Sequence, residues 1–415
     1  MDAGKDTTPH APQLSMDAEP DTSHDAVMHG MYGVYPMSRE ASGTSWQPDS
    51  TQMPAIHKMY GPWSWMFMGF ANAVYDHQRG ARGGKKFFSE NMLMATAQRD
   101  FDCSTLAFRT MFSLEPGTIG RCGYPLLLQT GETGDGRTAL IDRQHPHDLF
   151  MELAAVYTLI LSSENSCFIY FGLPGEPAIG PPVFMHRFSG IYNPEAPIAH
   201  HWLDSTHITF GVATLGYIWK NLKLDGSIFT GREPDQHRWN FEKPRFDSYS
   251  IRLSYNPIAD LAFQVSYAFI KSPEQLEPCV DIQRATASIS YNKIWQENKW
   301  QTMLAWGHNK KRPGPGLNAV LLESTLEVNN RHIFFGRVEY VQKDELFLPQ
   351  CKYAGKVFNV GKLNAGYIFE FPGFKDTQWG IGFSGSVPFL PTKLKPFYSG
   401  NPFSYMIFLR VELRQ

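Results

Sequence analysis

The chain has 415 residues, a formal net charge of −2, 14% aromatic residues and a mean hydropathy of −0.31. The near-neutral balance gives no reason to expect a nucleic-acid partner, and no apolar run reaches the ~18 residues that a transmembrane helix needs. Many rings in a chain that is not hydrophobic on average suit a β-barrel with aromatic girdles outside and polar residues inside.

Residues 1–60 are rich in Pro, Asp, Ser and Thr and show no periodicity, which predicts a flexible periplasmic tail. Scattered through it are His10, Met16, His24, Met28, His29, Met31, Met37, Met53, His57 and Met59. Thioether and imidazole suit copper, with sulfur favouring Cu(I). His24, Met28, His29 and Met31, in the densest part of the tail, are therefore candidate ligands for a copper ion, the one cofactor expected. An exported barrel also needs a signal peptide, expected to have been removed.

Residues 61–415 are expected to form the barrel itself, starting at Trp63. Residues 247–256 (DSYSIRLSYN) carry the pattern most plainly. Tyr249, Ile251, Leu253 and Tyr255 fall on one face of a strand, and Ser248, Ser250, Arg252, Ser254 and Asn256 on the other. The same alternation recurs in 261–269 and 403–413, and about sixteen candidate strands follow one another. They fall at 63–77, 87–101, 104–115, 148–162, 166–173, 207–220, 222–231 and 247–256, then at 260–271, 283–295, 299–308, 318–329, 332–343, 356–371, 377–388 and 402–414. Connections alternate between short turns and long loops, as outer-membrane barrels require. The expected fold is thus an all-β, antiparallel transmembrane barrel in the outer membrane of a Gram-negative bacterium, with long extracellular loops.

Charges on the polar faces, Arg109, Glu152, Arg252, Arg284, Glu323, Arg337, Glu339 and Arg410 among them, must face the lumen. Towards lipid each would cost about 2–4 kcal/mol near the midplane. They are expected to line a pore, either pairing across the wall or steering ions. Met66 and Met68 fall on the same lumenal face, as filler or as a soft-ligand path continuing from the tail. Five cysteines offer no metal-type spacing, and Cys103 and Cys122, bracketing a hairpin, are a candidate disulfide.

Three loops concentrate histidine. Residues 126–148, ending LIDRQHPHD, hold His145 and His147; 172–210, rich in Pro and Gly, holds His186, His200, His201 and His207; and 231–238 (GREPDQHR) holds His237. A loop of about thirty residues is too long for a plain connector and is expected to fold into the barrel mouth. There the histidines either bond loop carbonyls or, with carboxylates, hold Zn, Cu or Ni. Asp204, Ser205 and His207 lie close in sequence, but no Gly-x-Ser-x-Gly elbow is present, so no catalytic residues and no enzyme are expected.

Several long stretches carry a resemblance. They are 37–50 (MSREASGTSWQPDS), 127–133 (LLQTGET), 140–152 (LIDRQHPHDLFME), 184–190 (FMHRFSG), 200–211 (HHWLDSTHITFG) and 272–278 (SPEQLEP). In them the chain resembles an uncharacterised family of bacterial exported proteins typically encoded near copper and heavy-metal efflux systems. The resemblance implies a metal-resistance setting and periplasmic efflux or metal-handling partners. It supplies no site residues. The leading expectation is a channel or metal-binding barrel in copper homeostasis; the alternatives are a general porin for small polar solutes, trimeric like many porins, and an outer-membrane enzyme with a loop-borne site.

Overall fold

The computed structural model describes residues 29–414. Sixteen antiparallel strands close into a barrel. They are β1 Trp63–Gln78, β2 Gly84–Phe101, β3 Ser104–Phe112, β4 Phe150–Ser162, β5 Asn165–Gly172, β6 Val212–Trp219, β7 Leu222–Phe229 and β8 Ser248–Ile258, followed by β9 Leu261–Ile270, β10 Asp281–Trp295, β11 Asn298–Arg312, β12 Gly316–Val328, β13 His332–Lys343, β14 Phe358–Pro372, β15 Thr377–Phe389 and β16 Ser404–Leu413. Each pairs with its sequence neighbour, and β16 returns to β1 in the register Tyr405↔His77 to Glu412↔Phe70. Closure removes the unpaired edges that lipid could not satisfy. All sixteen expected strands are present, with ends displaced by a few residues.

Alternation does what the sequence requires of it. Tyr249, Ile251, Leu253 and Tyr255 are exposed on the outer face, whereas Ser248, Ser250, Arg252, Ser254 and Asn256 are buried inside. Outward aromatics mark both rims, Trp219, Trp295 and Trp300 at the end of the short turns and Phe87, Phe389 and Phe403 at the end that carries the long loops. One end carries only tight turns, such as that at Asn329 and Asn330, whose φ values of 53° and 51° suit asparagine. The other end carries the long loops 113–149, 173–211, 230–247, 344–357 and 390–403. The first of these folds as a hairpin of its own, Tyr124–Thr133 against Ala139–Gln144, which strand counting had passed over.

The lumen is filled rather than open. Residues 173–211 pass inside the barrel as an irregular plug, with every residue from Pro174 to Thr206 except Ser205 buried. Six prolines in this segment remove backbone donors, so it cannot zip onto a sheet edge. Side chains of the wall satisfy its backbone instead. Ser227 and Ser266 hydroxyls accept from Ala178 and Gly180 N–H, Gln301 from Ser189 N–H, and Glu339 from Ala199 N–H.

Two expectations are corrected here. Residues 29–55, taken for part of a flexible tail, pack into the turn end of the lumen; residues 1–28, with His24 and Met28, lie outside the described residues. Polar composition pointed to disorder, but Tyr32 and Trp46 are buried against the wall, and wall side chains supply partners: Thr158 Oγ1 donates to Met31 O at 2.8 Å and Asn256 Nδ2 to Gln47 O at 2.8 Å. Arg39 joins Asp49 at 2.5 Å and lies over the Tyr35 and Trp46 rings. Cys103 sits in the β2–β3 turn and Cys122 in loop 113–149, at opposite ends of the barrel, so they cannot bridge; both are free.

Candidate functional site

The eight charged residues expected to line a pore do face the lumen, but each is no more than 4% exposed. They hold the filling in place. Arg109 pairs with Glu152 at 2.7 Å and donates to Ala41 O and Gly43 O of the N-terminal segment. Arg252 pairs with Asp225 at 2.8 Å and donates to Gly180 O of the plug. Arg337 joins Glu323 at 3.1 Å and Glu195 O at 2.7 Å, and Arg284 reaches Thr206 Oγ1. Arg410 pairs with Glu412 under the Tyr192 ring. From the plug side, Arg187 is clamped between Glu323 and Asp204. The correction is one of state: these are wall charges covered by polypeptide, because the plug's own carbonyls and carboxylates take the place of water.

Five of the histidines expected to bind metal, His145, His147, His200, His201 and His207, meet in one buried cluster. Ring centroids run His145–His147 6.4 Å, His147–His207 5.4 Å, His207–His200 5.2 Å, His200–His201 5.6 Å and His201–His145 6.2 Å, a closed circuit drawn from two loops. His147 donates through Nδ1 to Glu115 Oε2, His200 to Asp204 Oδ1 and His207 to Asp204 O, each at 2.8 Å. Those acceptors fix the tautomer or charge state, and the Nε2 atoms of all three are buried without a partner. Burial holds His200, His201 and His207 below the usual imidazole range. His147 goes the other way, because Glu115 outweighs burial and raises it.

Beside this circuit lie Glu233 and Glu274. With His201 they form a group whose ligand atoms all fall within 4.8 Å of one another. Burial pushes Glu233 up to about 7, and burial together with the Glu233 charge pushes Glu274 well above the carboxylate range. Neither was singled out from the sequence as a ligand, though both stand in stretches quoted above, 231–238 and 272–278. Gly131 completes the packing: its φ is 107° and a Cβ there would stand 2.4 Å from His201 Cε1. Ser205 donates to Glu233 rather than to His207.

The remaining metal candidates are elsewhere. His29 Nε2 is 3.2 Å from Asp100 Oδ2, and that contact lifts His29 to about 9. Met31 lines a chamber of about 490 Å³ between the N-terminal segment and the wall, with Met37, Met53, Met66, Met68 and Met94. His186 also borders it, with Nε2 3.3 Å from Met111 Sδ. His237 is on the surface. Of these six methionines, Met31, Met37, Met53, Met66 and Met68 are named by the sequence reading and Met94 is not.

No family model matches the chain, and no curated protein is similar to it in sequence. Solved structures are similar in fold. OmpF of Salmonella typhi, determined in complex with daunomycin, is 8% identical over 86% of this chain and 100% of its own, with a TM-score of 0.51. OprB of Pseudomonas putida is 6% identical over 85% of this chain and 94% of its own, with a TM-score of 0.50. The chain therefore has the fold of an outer-membrane porin-like β-barrel.

Proposed function

We propose that the protein is a conduit for small polar solutes across the outer membrane, held shut by its own inner segments. The observation that carries this is the set of charged side chains on the wall behind the plug, which stand among apolar wall residues such as Ile333, Phe335, Ile368 and Phe408. Arg252, Arg284, Glu323, Arg337 and Glu339 are buried behind polypeptide, yet buried ion pairs give little net stability over apolar packing. A permanently filled barrel would be served as well by an apolar inner face. A wall that water must wet when the filling leaves would not.

Gly172 and Val212 are register partners, so a short linker can replace the plug without disturbing β5 or β6. A variant lacking 1–55 and with 176–208 replaced by four Gly/Ser residues should give steady conductance steps in a planar bilayer, where the intact barrel gives rare ones. A folded variant, verified by heat-modifiable mobility, that conducts no better than the intact protein would end the proposal.

A second reading, handling of copper or a related soft metal, is favoured by the six-methionine chamber, since thioethers select Cu(I). Competition against a chromophoric Cu(I) chelator should show binding that drops in Met66→Leu/Met68→Leu/Met94→Leu. Equal competition by that variant and the parent would discard it.

A further inference from the structure

His201 lies on the short plug helix His200–Leu203, Glu233 in loop 230–247 and Glu274 in loop 271–280. His201 Nδ1 is 3.7 Å from Glu233 Oε1 and 3.7 Å from Glu274 Oε1. That is too long for a hydrogen bond. It is close to the ~3.4 Å that separates two ligands bound at about 2.1 Å around one tetrahedral ion. Among the described residues neither ring nitrogen of His201 is hydrogen-bonded, and Nε2 is buried without a partner, as is Glu233 Oε2. No Lys or Arg among the described residues forms an ion pair with either carboxylate. Arg284, the cation whose field reaches Glu233, is spent on Asn309, Thr206 and Ser205. Buried carboxylates ordinarily meet a cationic side chain or a metal, and here the side chain is missing.

A route in from outside exists. Glu274 also lines an open vestibule of about 670 Å³, together with Glu132, Glu277, Asp344 and Glu345. The cations at this face are Arg137, on the vestibule wall, Arg238, which is paired with Glu132, and Lys311, which is bonded to Glu277, Asp344 and Glu345. Carboxylates outnumber cations, so the vestibule concentrates positive ions at its floor.

We propose that His201, Glu233 and Glu274 bind one first-row divalent cation, of the class of Zn²⁺, Mn²⁺ or Fe²⁺, which arrives through the acidic vestibule. One imidazole and two carboxylates suit a borderline or hard ion and not Cu(I). Two carboxylate charges cancel a divalent one, and three protein ligands leave a position for water from the vestibule. Because the ligands come from the plug and from two separate loops, the bound ion ties the plug to the outer rim. That clasping role rests on the conduit reading; the binding itself does not.

The test uses the full chain folded in detergent and Co²⁺ as the probe. One Co²⁺ per barrel, with visible d–d absorption and displacement by Zn²⁺, is expected. Affinity should fall by at least about tenfold in Glu274→Gln, vanish in Glu233→Gln/Glu274→Gln, and stay unchanged in His237→Ala. Glu274 is partly exposed, so the single variant decides the question if the double one fails to fold. Absence of binding by the parent protein, or undiminished binding by a folded Glu274→Gln, overturns the site. So does binding that survives in the carboxylate variants but is lost in His147→Gln/His207→Gln. Conductance is recorded in parallel. Co²⁺ binding by a protein whose plug-deleted form does not conduct leaves the site and removes the conduit; conduction without binding does the reverse.

Discussion

Arg187→Met probes the strongest tie between plug and wall. Arg187 is fully buried, reaching Glu323 through Nε and Nη2, Asp204 through Nη1 at 2.5 Å, and Pro182 O at 2.7 Å. Breaking a buried pair costs about 3–5 kcal/mol because the partner charge is left uncompensated. Here the lower end applies. Glu323 keeps Arg337 at 3.1 Å and Ser189 at 2.8 Å, and Asp204 keeps His200 at 2.8 Å. A loss of about 3 kcal/mol shifts the ratio of closed to open barrel by roughly 150-fold. The barrel wall is untouched, since β12 still pairs with β11 and β13 through the backbone. Open probability in a planar bilayer should therefore rise by about two orders of magnitude, and a broad-specificity protease should cut within 174–210. Arg187→Met/Asp204→Asn, which removes the carboxylate left without a cationic side chain, should recover part of the loss. An Arg187→Met protein whose open probability and protease resistance match the parent would show that the plug is not held by these charges.

Other perturbations separate packing from charge. Gly131→Ala forces a positive φ on a residue with a Cβ, about 1–2 kcal/mol, and drives that Cβ into His201. Weaker Co²⁺ binding with unchanged barrel heat stability is expected, and intact binding would refute it. A Cβ at Gly307 would stand 2.3 Å from Trp202 O, so Gly307→Val should displace the plug helix and raise conductance, whereas an exposed-face change such as Leu304→Val should not. Glu115→Gln isolates the His147 contact. Because Glu115 raises His147 in the folded protein, its stabilisation is full below about pH 6.5 and is lost as pH rises through the folded value. Protection of 113–149 from protease should thus differ most between parent and variant at acidic pH and converge in alkali; a constant difference would contradict it.

The barrel was legible because its cause is local. Each strand shows its two faces in ten or so residues, and the cost of a charge in lipid forces Arg252 or Glu339 inward whatever the rest of the chain does. Most of the long and short connections could also be read from where the alternation stops; 309–317 and 78–86, expected as long loops, are instead the short connections 313–315 and 79–83, because the strands run further than their alternation. The state of the lumen was not legible by the same means. Inward Arg and Glu look identical in sequence whether water or polypeptide covers them. What covers them is decided by distant partners: Ser227 for Ala178, Glu339 for Ala199, Asn256 for Gln47. The N-terminal segment misled for the same reason, since 29–55 lacks a hydrophobic period of its own and borrows its order from the wall.

The histidine cluster sits between these cases. The loops that hold His145, His147, His200, His201 and His207 stood out by composition, and Asp204, which holds His200 and His207, lies within them, but the carboxylates that face His147 and His201 come from outside those motifs. Glu115 holds His147 from the start of the same long loop, and Glu233 and Glu274 face His201 from loops after β7 and β9. Ring count alone therefore could not say which imidazoles are tied by hydrogen bonds and which is left over. Once the partners are placed, the division follows. His147, His200 and His207 spend Nδ1 on an acceptor, whereas His201 faces two carboxylates at a distance that a proton does not bridge and a metal ion would.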